Sequence, residues 1–228
     1  MLNPIKERRY WFMLLVQAFL FSATPFTREH PLLTLLFVFG LFGIFGSVIL
    51  TIWKSRLPRL LAISSALVAL VTGAMAFRSL QLNEPVVVYL SICCAAYALF
   101  ILIAIVSIGK DVLFRESVTV DCILGSICVY IFLGMFFAFV FGVVALQLPG
   151  SFDYGAQGRS QADITLNDIL YFSYSTITTT GFGDITPARP FTRMLATLES
   201  IVGTLYIAIM ISRLVGLHVS ERGAARHR

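Results

Sequence analysis

Six apolar stretches, each near or above the length at which a helix crosses a bilayer, constrain this 228-residue chain more than any other feature. A hydrocarbon core takes about 20 helical residues to span. The stretches run from about Tyr10 to Phe26, Leu32 to Trp53, Pro58 to Phe77, Val86 to Ile108, Thr119 to Leu148 and Phe191 to Leu217. With 58% hydrophobic and 13% charged residues, the chain carries more apolar surface than a soluble domain can bury. The expected fold is an all-α membrane protein with six transmembrane helices. Lys6, Arg8 and Arg9 ahead of the first stretch give it the outward look of a signal peptide. Phe21-Ser22-Ala23 lacks the small-x-small cleavage pattern, so an uncleaved anchor is expected.

Basic residues at the ends of the stretches then predict an orientation. Lys6, Arg8, Arg9, Lys54, Arg56, Arg59, Lys110, Arg115, Arg213, Arg222, Arg226 and Arg228 fall on one side. Arg28, Arg78, Arg159, Arg189 and Arg193 fall on the other. The richer side is expected to be cytoplasmic, with both termini there, in the cell (plasma or inner) membrane. This distribution makes a lipid bilayer, and not nucleic acid, the expected partner of the net charge of +5. The charged stretch Lys110 to Ser117 divides a four-helix unit, residues 1–109, from a two-helix unit, residues 110–228.

Several features narrow the function. Gly40, Gly43 and Gly46 recur at every third position, a spacing that lets membrane helices pack closely. Cys93, Cys94, Cys122 and Cys128 lie in apolar segments without metal-site or redox spacing, and are expected to be small buried hydrophobes. Val86 to Ile108 contains no lysine, arginine, aspartate or glutamate. Steep voltage dependence, which needs charges moving through the field, is not expected. With the chain ending shortly after the last stretch, no cytoplasmic ligand-binding domain is expected either. His30, Arg78 and Glu84 fall at external ends and are expected to be interfacial anchors or solvated loop charges, with a pH or ion response as the alternative. No paired carboxylates, nucleophile triad or phosphate loop points to an enzyme, and no cofactor is expected.

Ahead of the last stretch stands Thr178-Thr179-Thr180-Gly181-Phe182-Gly183-Asp184. Residues that alternate between left- and right-handed backbone angles can aim successive carbonyl oxygens in one direction. Rings of such oxygens replace the water shell of a bare cation. Pro149 to Asp163 before it is polar, as an exposed loop should be, and Thr165-Leu166-Asn167-Asp168 offers an N-cap with a capping-box partner. From Leu166 to about Thr178 a helix is expected, too short to span and therefore re-entrant. Irregular backbone at membrane depth is tolerated where it is buried in protein or lines water.

Ser175-Thr176-Ile177-Thr178-Thr179-Thr180-Gly181-Phe182-Gly183-Asp184 resembles the pore helix and selectivity filter of potassium channels, between two spans as in that family. The resemblance covers the C-terminal half of the chain. It implies a passive, potassium-selective homotetramer with K+ as the permeant ion. The Thr179 hydroxyl and carbonyl would form the innermost site, and the carbonyls of Thr180, Gly181 and Phe182 the sites above it. Gly183 would lie at the outer mouth and Asp184 behind the filter, unless Asp184 is a loop cap. Gly203, 20 residues after Gly183, falls where the family's inner helix has its hinge. With Gly203 as register, Thr204, Ile207, Ile211 and Val215 would line the inner pore. Ile207 and Ile211 are either a dewetting constriction or ordinary helix packing.

The sequence departs from the family at several positions. Thr180 stands in place of valine or isoleucine, Phe182 in place of tyrosine, Ser175 where some members have glutamate, and Tyr171 and Phe172 replace a tryptophan pair. These changes remove partners Asp184 usually has. Glu199 is a carboxylate well inside the last stretch, which makes it a functional candidate. It is expected either to bond behind the filter, to Thr176 or Thr178, or to reach water near Arg193. Two other functions stay open: a weakly selective cation channel, suggested by Thr180, and a non-conducting auxiliary subunit.

Overall fold

The computed structural model of the protein describes residues 9–23, 43, 46, 48–49, 56–82, 86–114, 119–154 and 165–226, with side chains of the last helix described as far as 216. The apolar stretch Leu32 to Trp53 lies outside these residues apart from the four isolated positions. His30, Glu84 and most of the polar loop before Asp163 also lie outside them.

The helices are α1 (Arg9–Ala23), α2 (Arg56–Leu82), α3 (Val87–Leu113), α4 (Val120–Gln147), α5 (Leu166–Ile177) and α6 (Pro190–Arg226). Two-residue strands β1 (Phe152–Asp153) and β2 (Thr186–Pro187) flank α5 and pair antiparallel, Phe152 opposite Pro187 and Asp153 opposite Thr186. Four helices are long and apolar enough to cross a membrane: α2, α3, α4 and α6. The chain is thus an all-α membrane protein, with four such helices among the described residues where the sequence suggests six. Helix α1 has 15 residues. At 1.5 Å per residue it reaches about 22 Å, short of a hydrocarbon core of about 30 Å.

The chain forms two compact units. Met1–Arg59, Ala104–Ile131 and Leu205–Arg228 make the first; Leu60–Ile103 and Phe132–Thr204 make the second. In the first, α1 buries Tyr10, Met13, Gln17 and Leu20 and leaves Trp11, Phe12, Leu15 and Phe19 exposed, one apolar stripe of a helix. The Tyr10 hydroxyl donates to Asp111 Oδ2 at 2.7 Å, and Gln17 Nε2 donates to the Cys128 carbonyl at 3.4 Å. Farther along the chain, the Tyr206 hydroxyl donates to the Ser126 carbonyl at 2.7 Å, and its ring stacks on Tyr130. Cys122 and Cys128 are buried free thiols, and Cys93 and Cys94 are half-buried ones.

The second unit is organised by aromatic rings. Phe141, Phe152 and Phe172 meet edge to face with centroids 5.1 to 5.8 Å apart. Such pairs stabilise by about 0.5–1.5 kcal/mol beyond the area they bury. The cluster draws in Phe137, Ala138, Tyr154, Ile169 and Ala196 and so joins α4, β1, α5 and α6. Gln147 Nε2 donates to Ser91 Oγ at 2.8 Å, tying the end of α4 to α3. Helix α5 is thereby fixed between α4 and α6.

Candidate functional site: a capped short helix and its glycine loop

Helix α5 starts and stops by side-chain hydrogen bonds. Thr165 is its N-cap: the Thr165 hydroxyl accepts from the Asp168 amide, and Asp168 accepts from the Thr165 amide, a reciprocal capping box. Its other end is closed by Thr178, whose amide donates to the Thr176 and Tyr174 carbonyls. The Thr178 hydroxyl donates to the Tyr174 carbonyl at 2.6 Å. That uses its single hydrogen, so the Thr180 hydroxyl, 2.8 Å away, donates to Thr178.

Beyond Thr178 the backbone alternates. Thr179, Gly181 and Gly183 have φ of 57°, 59° and 80°, whereas Thr180 and Phe182 between them stay at negative φ. Glycine takes left-handed angles without strain. Thr179, which carries a β-branch, is held there at a cost of about 1–2 kcal/mol.

Ser175 anchors this loop. Its carbonyl accepts from the Thr180 and Gly181 amides at 2.9 and 3.1 Å, and its hydroxyl accepts from the Phe182 amide at 3.3 Å. Residues 179–184 are otherwise exposed in the single chain, Phe182 at 67%, and a Cβ placed on Gly181 or Gly183 would meet nothing within 4 Å.

Asp184 has a partner that sequence reasoning missed. The Tyr171 hydroxyl donates to Asp184 Oδ1 at 3.1 Å, and the Tyr171 ring stacks on Phe182 with centroids 5.8 Å apart. Desolvation first, then the hydrogen bond and charge of Asp184, hold the Tyr171 hydroxyl above its ordinary range. Downstream, the Arg193 Nε donates to the Pro187 carbonyl at 3.0 Å, the Ala188 amide donates to the Ser151 carbonyl, and Arg189 donates to the Pro149 carbonyl.

Helix α6 grips the C-terminal half of α5. Ser200 Oγ donates to the Thr176 carbonyl at 3.0 Å. A Cβ at Gly203 would come within 2.5 Å of Ile177 Cγ1 and 2.8 Å of the Ile177 carbonyl oxygen, so only glycine fits there unchanged. The helix runs unbroken through Gly203, and close approach to Ile177 is what the structure requires of this residue.

Glu199 is fully buried, and its Oε1 lies 2.5 Å from Ser173 Oγ. This corrects the expectation that it bonds to Thr176 or Thr178. Those hydroxyls already donate to the Phe172 and Tyr174 carbonyls one turn back. Burial also excludes the alternative of a water pocket near Arg193. Farther along α6, Thr204, Ile207, Ile211 and Val215 are all exposed in the single chain.

Residues 126–218 match the family described as Ion channel. That segment takes in most of α4, the whole of α5 and its loop, and α6 as far as His218. The match supports an ion channel, and with the apolar helices it supports a multi-pass membrane protein through which ions permeate. The similarity is to a channel domain. No curated protein and no solved structure matches the chain.

Proposed function

We propose that the chain is one protomer of a homotetrameric potassium channel conducting K+ passively across the cell membrane, with six crossings and both termini cytoplasmic. The observation that carries this reading is the alternation of φ at Thr179, Gly181 and Gly183 directly after a capped helix too short to span. Such backbone supports carbonyls directed to one side, the chemistry that replaces a cation's hydration shell. One chain supplies one loop, and a ring of carbonyls needs several copies about an axis. The exposure of Phe182, in the loop itself, supports a face reserved for those copies.

In this reading Thr179, Thr180, Gly181 and Phe182 coordinate K+, with Gly183 at the outer mouth. The Thr180 hydroxyl is occupied by Thr178, which leaves the Thr180 carbonyl for the ring. Ser175, Thr178, Asp184 and Glu199 support the filter from behind or beneath. Gly203 gives the inner helix its pivot, and Thr204, Ile207, Ile211 and Val215 line the inner pore. By role, residues 110–228 form the pore and residues 1–109 accompany it without voltage-sensing arginines.

Flux of K+ from liposomes holding the purified protein tests the reading, with reversal potentials in K+ and Na+ gradients. Selective K+ current is the expected result. Equal permeability would replace it with a weakly selective cation channel, and silent liposomes would leave a non-conducting subunit.

A further inference from the structure

A hydroxyl carries one hydrogen, and Ser173 has two oxygen neighbours that both need one. Ser173 Oγ lies 2.7 Å from the Gly134 carbonyl oxygen on α4 and 2.5 Å from Glu199 Oε1 on α6. Both are hydrogen-bond distances. A carbonyl oxygen can only accept, so the contact with Gly134 consumes the Ser173 hydrogen. The contact with Glu199 then requires a second hydrogen, and the carboxyl group is where it can reside. An ionised carboxylate would place two lone pairs face to face on one side of Ser173 or the other.

Burial points the same way. Glu199 and Ser173 are both 0% exposed, and Glu199 Oε2 has no hydrogen-bond partner among the described residues. A buried charge is stable only when its oxygens are paired, whereas a neutral acid tolerates one bare carbonyl oxygen far better.

We propose that Glu199 is a neutral carboxylic acid whose proton is donated to Ser173, which in turn donates to the Gly134 carbonyl, a chain of two hydrogen bonds that positions α5 between α6 and α4. Glu199 is a positioning residue. It acts on the loop through the helix that carries it, and this consequence rests on the channel reading above. Neighbouring glycines close the arrangement: a Cβ at Gly134 would lie 2.6 Å from the Tyr174 ring, and one at Gly203 would strike Ile177. All three helices therefore approach to the distance at which one serine hydroxyl can bridge them.

The test is infrared difference spectroscopy of the full chain in lipid at neutral pH, wild type against Glu199→Gln. A C=O stretch of a protonated carboxylic acid, shifted in D2O and missing from the variant, is expected. Its absence, with a carboxylate band in its place, overturns the proposal. In Ser173→Ala the band should move to the higher frequency of a less strongly bonded acid, and an unmoved band also overturns the proposal. Glu199→Gln keeps an N–H for Ser173 and should preserve tetramer yield and K+ flux. Glu199→Ala should lower both by about tenfold, the scale of an unmade buried hydrogen bond. Equal damage from the two variants counts against the proton. An acid band in a protein that passes no K+ would uphold the proton and remove the channel reading instead.

Discussion

Helices α4 and α6 have apolar spans of nearly equal length, 28 and 27 residues, yet the single chain buries 56% of the apolar core of one and 22% of that of the other. Helix α4 turns Phe132, Phe137, Phe141 and Val144 inward and makes its structure from contacts within one chain. Helix α6 buries a stripe of Thr192, Ala196, Glu199, Gly203 and Met210, and exposes Leu198, Ile201, Leu205 and Ile209 outside it. In a bilayer, exposed apolar side chains face lipid at little cost, so exposure alone does not demand a partner. What sets α6 apart is that its single stripe holds the buried acid, the glycine at Ile177 and the serine that bonds α5, all within Glu199 to Gly203. One helix supplies bulk, and the other supplies position.

Substitutions can break this contrast, beginning with the largest expected effect. Phe141→Ala should cost about 3–5 kcal/mol by removing the central ring of the aromatic cluster. Unfolding of the purified protein in mixed micelles measures it, and a loss below 1 kcal/mol would mean that the cluster does not organise the second unit. Gly203→Ala should cost about 1–3 kcal/mol through overpacking against Ile177. Ile177→Ala should recover part of that loss in the double variant and not all of it, because the Ile177 carbonyl stays in the way.

Thr165→Ala should follow at about 0.5–2 kcal/mol, the usual value of an N-cap, read as faster amide exchange in the first turn of α5. Tyr171→Phe removes an exposed hydrogen bond that water can replace, and should have little effect in the same unfolding assay. Its effect on K+ current should exceed its effect on stability if Asp184 governs the loop. At the small end, Leu205→Ala and Ile209→Ala should alter unfolding by less than about 0.5 kcal/mol. They should nonetheless reduce the oligomer seen by crosslinking. A cost matching that of Phe141→Ala would erase the distinction between the two helices.

Much of this was legible in the residues. Long apolar runs announced α2, α3, α4 and α6 because span length is set by the bilayer and not by tertiary contacts. The cap at Thr165 and Asp168 was legible for a similar reason: its chemistry lies within four consecutive residues. So was the alternation in the loop, where two glycines stand two apart. The partner of Glu199 was not, since Ser173 is 26 residues away and the pairing depends on how α5 and α6 settle against each other. Local competition decided against the threonines, which bond within their own helix. Tyr171 illustrates the same limit. Tyr171 and Phe172 in place of a tryptophan pair suggested missing partners for Asp184, yet the Tyr171 phenol at that same site supplies a donor. Gly203 was identified by position, while its contact with Ile177 required the packed structure.

The small ladder of β1 and β2 has a thermodynamic meaning. Pairing of Phe152 with Pro187 fixes the chain just downstream of the glycine loop, and Ser175 fixes it just upstream. The residues between these two anchors surrender their conformational freedom when the protein folds. A ligand of their carbonyl oxygens meets a host already ordered, and its own affinity need not cover that ordering. In the proposed channel, weakening either anchor should therefore loosen ion binding before it disturbs any helix.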